Sequence, residues 1–350
     1  MPSGEYKVSG GKLVRVNFDV ADGVIRNAQL NGDFFLEPDE ALHSINEALN
    51  GMPTATDTKG IANRIRQALP PETVMLGFDE TAIAIAVRRA LADASHWTDY
   101  DWQLIHEGPQ YPSMHMALDE VLAAEVANGN RPPTLRVWEW ASPAVIIGSF
   151  QSLRNEVDAE AATQHGIEVM RRISGGGAMF VEPGNTITYS LYAPTQLVAG
   201  MSFTDSYAYL DDWVLGALSQ MGIKAWYQPV NDITSDKGKI AGAAQKRLAN
   251  GAVLHHVTMS YDIDADKMSQ VLRVGKEKLS DKGITSAKKR VDPLRRQTGL
   301  AREEIIERMI SFFKARYGLT SGELTGAERK EAQRLEAEKF NDPEWTARVP

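Results

Sequence analysis

The sequence predicts an α+β protein in which a mixed-sheet domain follows a smaller α/β unit. Strand-like alternation of polar and apolar residues is interleaved with segments of helical apolar spacing along the chain. The length of 350 residues suits about two domains with cores of their own. A polar and aromatic stretch at 93–100 separates two patterns. We therefore expect domains at 1–92 and 101–350, joined by this linker.

The N-terminal unit is predicted to begin with strands and to continue with helices. Residues 12–20 alternate as a strand does, and Asp22 with Gly23 is a turn signal before a second strand. The helix signals that follow are Pro38 with Gly51, and apolar residues at helical spacing in 61–69. A third helix is predicted at 80–92, and because it is apolar on most faces it is expected to lie in the core.

The second domain is predicted to open with a helix. Residues 113–127 place Met114, Leu118 and Leu122 on one helical face. Thr325 and Glu328 have the spacing of a capping box, which predicts the start of a terminal helix. Between them, a helix is predicted at 206–221 and strands at 135–140, 144–148, 168–172, 186–192 and 257–263.

Composition excludes several classes of protein. The chain has no cysteine, which excludes disulfides, cysteine-based zinc or iron–sulfur sites and a thiol nucleophile. The formal net charge of −8 argues against general binding of nucleic acid, although it is compatible with a local basic face. No apolar run approaches the ~18 residues that span a bilayer, and no signal peptide is visible. We therefore expect a cytoplasmic protein that binds no membrane and no nucleic acid.

A glycine-rich loop at 171–180 (RRISGGGAMF) is the most informative segment. Consecutive glycines permit positive φ and let a ligand approach the main-chain N–H groups. The guanidinium groups of Arg171 and Arg172 suit phosphate or carboxylate oxygens. A tight turn at a sheet edge would explain the glycines alone. The paired arginines between two predicted strands favour an anion-binding loop.

A predicted hairpin at 231–244 is the second candidate segment. Residues 236–238 form a three-residue turn whose glycine can take the left-handed conformation, and Lys239 begins the returning strand. Small residues at 241–244 would let a ligand lie close to the backbone. Lys239 is either a solvated lysine or an inward-facing cation. Asp232 is either a turn residue or a Mg²⁺ ligand, because hard cations prefer carboxylate oxygens.

His255 and His256 suggest a metal site at first sight. Adjacent residues of a strand point to opposite faces, which argues against joint ligation of one ion. One of the two is expected to support a pocket by a hydrogen bond instead.

Four blocks of sequence carry a resemblance to a known family. The first is 143–148 (PAVIIG) with Gln151, and the second is 171–180 with 183–185 (PGN). The third is 231–233 (NDI) and 239–244 (KIAGAA) with the two histidines, and the fourth is 282–286 (KGITS) with 290–291. Over about residues 101 to 350 the chain thereby resembles the lipoate–protein ligase family, which implies the biotin/lipoate ligase-like catalytic fold. Residues 1–92, especially 6–13 and 32–35, resemble the accessory domain of that family. In relatives that domain follows the catalytic domain or is a separate polypeptide.

The resemblance implies a two-step, ATP-dependent reaction. The carboxylate of lipoate would attack the α-phosphate of ATP, giving lipoyl-AMP and pyrophosphate. A lysine of an acceptor lipoyl-domain protein would then take the lipoyl group and release AMP. The implied acceptors are acyltransferase subunits of 2-oxoacid dehydrogenases, the glycine cleavage H protein or similar proteins.

The resemblance also implies roles for individual residues. Lys239 corresponds to the essential lysine that contacts the lipoyl carbonyl and the α-phosphate, His256 would contribute to lipoate binding, and Asp232 would hold Mg²⁺. The implied site for ATP and lipoyl-AMP comprises Arg171, Arg172, Ser174, Gly175, Gly176, Gly177, Ala178, Met179, Phe180, Asn231, Asp232 and Lys239.

The chain departs from the family pattern at two places. Val181-Glu182 stands where the family usually has His-Asp, and Val257 stands where it usually has glycine. Either change could alter acyl-chain selectivity or acceptor access. An octanoyl transferase or another acyl ligase of the same fold is one alternative, although the lack of cysteine excludes a cysteine thioester. A non-catalytic lipoate-binding protein is the other. The sequence does not decide between lipoate and octanoate, and it identifies neither the acceptor nor the oligomeric state.

The segment 273–302 is rich in Lys and Arg on an acidic chain. It is either a docking surface for an acidic lipoyl domain or a solvated helix surface. Charge reversal at Lys288, Lys289 and Arg290 is expected to weaken acceptor transfer and to spare adenylation in the first case.

Overall fold

The structure, a computed structural model, describes residues 1–273 and 291–350. Two compact units are present, Met1–Asp99 with Gln196–Asp212, and Tyr100–Thr195 with Trp213–Pro350. The block at 282–286 and the three basic residues Lys288, Lys289 and Arg290 lie outside the described residues. Within the described ranges, no helix has the length and apolar character needed to cross a membrane.

The first unit contains a small antiparallel sheet and three helices in its N-terminal part. Its sheet has the order β1 (Ser3–Lys7), β2 (Leu13–Ala21), β3 (Val24–Gly32), and a separate pair is formed by β4 (Phe35–Glu37) and β5 (Val74–Leu76). The helices are α1 (Ala41–Leu49), α2 (Thr58–Ala68) and α3 (Glu80–Leu91), followed by a 3₁₀ turn at Trp97–Asp99. The alternation predicted for β2 is confirmed, because Val14, Val16 and Phe18 are buried.

Close packing of α3 on β1 depends on a glycine. A Cβ added to Gly4 would lie 2.2 Å from the carbonyl oxygen of Ala86, far inside normal contact distance. The prediction that α3 is a core helix is confirmed, since Ile83, Ile85 and Val87 are almost wholly buried. The stretch predicted as a linker also contributes to this unit: Trp97 is buried, and its ring centroid lies 5.8 Å from that of Tyr209.

The second unit carries the larger sheet and most of the helices. Its strands are β6 (Gln103–His106), β7 (Thr134–Trp138), β8 (Ala144–Ile147), β9 (Glu168–Arg171), β10 (Met179–Val181), β11 (Thr186–Pro194), β12 (Ala225–Gln228), β13 (Asp232–Ser235), β14 (Gly238–Arg247), β15 (Ala252–Ser260) and β16 (Thr320–Ser321). The helices from residue 100 onward are α4 (Pro112–Ala127), α5 (Leu153–Glu156), α6 (Ala159–Gln164), α7 (Phe203–Gln220), α8 (Ala265–Val271), α9 (Leu294–Thr298), α10 (Arg302–Tyr317), α11 (Gly326–Leu335) and α12 (Pro343–Ala347).

Both sheets of this unit are mixed, which confirms the predicted α+β class. In the described residues the larger sheet has the order β12-β13-β14-β15-β11-β7-β6-β16, with parallel pairing of β6 to β7 and to β16. The smaller sheet has the order β10-β8-β9, in which β8 and β9 are parallel. The capping box predicted at Thr325 and Glu328 is confirmed at the start of α11.

Helix α4 packs on the larger sheet, and its buried side chains form a hydrophobic core together with those of the sheet. Met116, Leu118 and Leu122 lie in one cluster with Trp138 and Leu254 of the sheet. The predicted helix at 113–127 is therefore confirmed to within one residue.

The predicted strand at 257–263 is misplaced, because the strand runs from Ala252 to Ser260. Almost every residue of β15 is buried, so both faces of the strand are covered. A strand buried on both sides lacks the alternation from which its bounds were predicted.

Candidate functional site

A cavity of about 210 Å³ in the second unit gathers several predicted site residues. The glycine loop contributes Arg172 and residues 177–180, and the hairpin contributes Asn231 and residues 239–244. Strand β15 contributes His256 and Thr258. The other lining residues, mostly apolar, are Trp138, Thr188, Ser260, Ile263, Met268, Leu272 and Val291. Arg171, Ser174, Gly175, Gly176 and Asp232 do not line this cavity.

The glycine loop connects β9 to β10 and packs against the end of β8. Gly176 has a φ of +93°, which favours glycine. A Cβ added to Gly148 would lie 2.2 Å from the carbonyl oxygen of Gly176. Ser149 N–H also donates to the carbonyl of Ser174 across 2.8 Å. The loop therefore has a defined position that depends on close backbone approach.

Arg171 is a structural residue and does not face the cavity. Its side chain is fully buried, and its guanidinium donates to the carbonyl oxygens of Gly148 (2.9 Å) and Gln151 (2.7 Å). It also donates to the carbonyls of Thr346 (2.8 Å) and Val349 (3.1 Å) near the end of the chain. The guanidinium that was predicted to hold an anion thus ties the C-terminal segment to β9.

Arg172 holds the loop from its cavity side. It is 4% exposed, and its Nη2 donates to the carbonyls of Gly175 (2.6 Å) and Gly177 (2.8 Å). Its Nε donates to Ser174 Oγ across 3.0 Å. Its positive charge lies on the cavity wall, but these N–H groups serve the loop carbonyls. Nε and Nη2 of Arg172 thus contact the loop, and its contact with an anion stays a prediction.

His256 supports the pocket by hydrogen bonds, as expected for one of the two adjacent histidines. Its Nε2 lies 2.6 Å from Ser174 Oγ, and its Nδ1 lies 2.7 Å from Asp119 Oδ2. Burial lowers the pKa of His256, against the opposing effect of the Asp119 carboxylate. Because both ring nitrogens have protein partners, a ligand would contact the ring carbons or the face of the ring.

Asp119 was not singled out from the sequence. Its carboxylate is 2% exposed and also accepts hydrogen bonds from Ser190 Oγ (2.9 Å) and Tyr192 Oη (2.6 Å). A signal was available, since Asp119 and His115 are polar residues four apart on a helix that buries most of its side chains. Buried carboxylates are rare unless they are paired.

The hairpin differs from its prediction in one detail. Gly238 pairs with Ser235, so the turn is the two residues Asp236 and Lys237. Gly238 has a φ of +144°, a positive value that favours glycine, but it already belongs to β14 and not to the turn. Lys239 is consequently the second residue of the returning strand.

Lys239 reaches the cavity beside Asp232. Its Nζ lies 2.7 Å from Asp232 Oδ1, and both side chains are partly exposed. A Cβ added to Gly242 would lie 3.1 Å from this Nζ, so the glycine makes room for the ammonium group. Asn231 donates through Nδ2 to the carbonyl of Ala243 (2.6 Å), which fixes the strand beside it.

Asp232 is a single carboxylate. In the ranges 1–273 and 291–350, no cluster of three or more His, Asp or Glu side chains could hold a metal ion. A Mg²⁺ ion at Asp232 would therefore need ligands from substrate phosphates and water, which is common for this ion.

The two departures from the family pattern lie off the cavity wall. Val181 is fully buried in β10, while Glu182 pairs with Lys267 of α8 across 2.5 Å and raises the pKa of that lysine. The next residue of α8, Met268, lines the cavity. Val257 is buried and does not line the cavity, as expected for a residue between two inward-facing strand neighbours.

Comparison with known proteins gives concordant matches. Residues 111–314 match the model of the lipoyl protein ligase A/B catalytic domain. The chain is similar to the octanoyltransferase LipM of Kyrpidia tusciae, with 29% identity over 279 residues that cover 71% of this chain and 98% of the relative.

Two of the solved structures that are similar to the chain come from work on lipoate ligases. One, from a study of a bipartite lipoate protein ligase and its E2 lipoyl domain from Thermoplasma acidophilum, has 27% identity and a TM-score of 0.64, covering 71% of this chain and 97% of that one. The other, a lipoate-protein ligase A bound with ATP, has 25% identity and a TM-score of 0.62, covering 71% of this chain and 100% of that one. These matches confirm the fold that the resemblance implied.

Proposed function

The chain belongs to the lipoyl protein ligase A/B catalytic domain family, and from this premise we propose that it is an ATP-dependent lipoate–protein ligase. The observation that carries the proposal is the composition of the cavity. Lys239 and Arg172 supply positive charge on its wall, while Ile240, Met268 and Leu272 supply apolar surface. An acid with an apolar tail, such as lipoate, matches both parts.

The charged part suits adenylate formation. A carboxylate and an α-phosphate are both anionic, so their approach requires fixed positive charge. Lys239 Nζ would contact the carboxylate and the phosphate, and Gly242 leaves space for it. The charge of Arg172 would add to that field without moving, because its N–H groups are held by loop carbonyls.

The glycine loop would receive the nucleotide. Main-chain N–H groups in such a loop can approach phosphates closely where no Cβ intervenes; nothing lies within 4 Å of a Cβ added to Gly177. The similarity to a lipoate-protein ligase A bound with ATP supports nucleotide use. Mg²⁺, when bound, would neutralise phosphate charge, and Asp232 is the residue that would contact it.

The second step would be transfer to a protein. The ε-amine of a lysine on an acceptor lipoyl domain would attack the carbonyl of lipoyl-AMP, forming an amide and releasing AMP. The similarity to a ligase studied with an E2 lipoyl domain supports an acceptor of this kind. The identity of the acceptor and a cytoplasmic location stay predictions.

Octanoyl transfer is the second candidate, and the similarity to LipM favours it. Transfer through a cysteine thioester requires a thiol, and none of the 350 residues is cysteine. An octanoyl transferase of this sequence would need direct transfer or another nucleophile. The two cationic side chains on the cavity wall favour adenylation.

The test is lipoate-dependent exchange of pyrophosphate into ATP, with octanoate as the second acid. The wild type is expected to catalyse exchange, and Lys239→Ala is expected to reduce it by a factor on the order of 1000, the effect of removing one strong electrostatic contact to the transition state. Lys237→Ala is the matched control, since Lys237 is exposed at the hairpin turn and does not line the cavity. Absence of exchange, together with octanoyl transfer from a carrier thioester without ATP, would refute the ligase and support the transferase.

A further inference from the structure

A chain of four hydrogen-bonded side chains runs from α4 to the glycine loop. Asp119 Oδ2 contacts His256 Nδ1 at 2.7 Å, and His256 Nε2 contacts Ser174 Oγ at 2.6 Å. Ser174 Oγ also accepts from Arg172 Nε at 3.0 Å. The four side chains are between 0% and 6% exposed. Arg172 ends the chain on the carbonyls of Gly175 and Gly177.

One arrangement of protons satisfies every member of this chain. An ionised Asp119 only accepts, so His256 carries its proton on Nδ1. Nε2 of a neutral imidazole then accepts from the Ser174 hydroxyl. The serine oxygen keeps a lone pair for Arg172 Nε–H. Asp119 thus determines which ring nitrogen of His256 carries the proton. That tautomer in turn determines how the Ser174 hydroxyl is oriented when its oxygen accepts from Arg172.

The same three residue types form the nucleophilic triad of hydrolases, with similar spacing. Ser174, however, is 0% exposed and does not line the cavity. Its oxygen also accepts a charge-assisted hydrogen bond from Arg172, which lowers its reactivity as a nucleophile. The geometry therefore supports a structural role for Ser174 in the loop rather than the formation of an acyl-serine intermediate.

We propose that Asp119 is a positioning residue for adenylation, acting through His256 and Ser174 on Arg172 and so on the main chain of Gly175 and Gly177. This inference rests on the proposed function. A loop whose carbonyls are held in place presents its N–H groups in a fixed direction. Displacement of the loop would affect the nucleotide more than the acyl chain, since most of the apolar lining residues belong to other segments.

Asp119→Asn is the decisive variant because it preserves shape and changes the proton pattern. The amide can donate to His256 Nδ1, which shifts the proton to Nε2 and turns Ser174 from donor to acceptor. We expect exchange kcat/KM for ATP to fall about 100-fold, the scale seen when residues behind a catalytic group are changed. KM for lipoate should change less than threefold. Nitrogen NMR of labelled histidine should show the exchanged tautomer of His256.

Three further variants complete the experiment. Ser174→Ala should give a similar loss while His256 keeps its proton on Nδ1, and the double variant should lose no more than the worse single one. Glu120→Gln is the matched control, because Glu120 neighbours Asp119 on α4 but pairs with Lys339 at 2.6 Å. It should keep activity within twofold of the wild type.

The outcomes separate the hypotheses. A swapped tautomer with exchange within threefold of the wild type, or losses that multiply in the double variant, would overturn the positioning role. Acylated Ser174 in the intact-mass spectrum would overturn it as well, in favour of a serine nucleophile. If Asp119→Asn does not fold, Ser174→Ala alone decides, through its KM for ATP. Absence of exchange in the wild type would instead refute the proposed function, and the tautomer measurement would still report on the chain of contacts.

Discussion

Gly148→Ala is expected to move the glycine loop while every charged residue stays in the chain. The added methyl carbon would lie 3.3 Å from Nη2 of Arg172. The same carbon would lie 2.2 Å from the carbonyl oxygen of Gly176 and 3.1 Å from its carbon. A carbon and a carbonyl oxygen in van der Waals contact stay about 3.3 Å apart. The two backbones must therefore separate by about 1 Å, because neither contacting atom belongs to a flexible side chain.

This displacement has a cost in stability and in activity. Crowding of this kind typically destabilises a protein by about 1–3 kcal/mol, which lowers Tm by several degrees in a domain of this size. A 1 Å misplacement of binding groups can reduce turnover by about 100-fold. We therefore expect a folded variant whose lipoate-dependent exchange falls by one to two orders of magnitude.

The assay compares exchange kinetics and thermal unfolding of Gly148→Ala with those of Gly108→Ala. Gly108 is exposed, and nothing lies within 4 Å of its added Cβ, so the control should match the wild type in both measurements. If Gly148→Ala keeps more than a third of wild-type exchange and an unchanged Tm, the close contact does not determine the position of the loop, contrary to the displacement expected here.

Three further changes test separate parts of the site. Gly242→Ala would bring a methyl group to 3.1 Å from Lys239 Nζ and should reduce exchange about 10-fold at an unchanged Tm; equal activity would mean that the ammonium has room elsewhere. Arg171→Lys removes the guanidinium group that donates to the carbonyl of Val349 and should increase cleavage of the C-terminal segment in limited proteolysis. Unchanged cleavage would contradict the structural role of Arg171. Glu182→Gln weakens the contact to Lys267 and should raise KM for lipoate a few-fold with little change in KM for ATP. A larger effect on KM for ATP would contradict the placement of the acyl chain beside Met268 of α8.

Much of the fold followed from local patterns. The helix α4 and the capping box of α11 were predicted because their signals lie within a few residues of each other. Strand β15 was misplaced because burial on both faces removes the alternation that marks a strand. The predicted turn of the hairpin was one residue too long, because the register of two strands depends on all of the residue pairs between them.

For the site, the amino-acid sequence alone limits which residue types are available. The absence of cysteine rules out a thioester on this chain, and the glycines and Lys239 mark two segments suited to anions. The contacts of each charged group, in contrast, follow from the fold. Arg171 and Arg172 are adjacent and chemically equal, yet one holds the C-terminal carbonyls and the other the glycine loop. Asp119 contacts His256 although the two lie 137 positions apart in the sequence. Such assignments depend on which carbonyls and carboxylates folding brings within hydrogen-bond distance, and no local pattern encodes that.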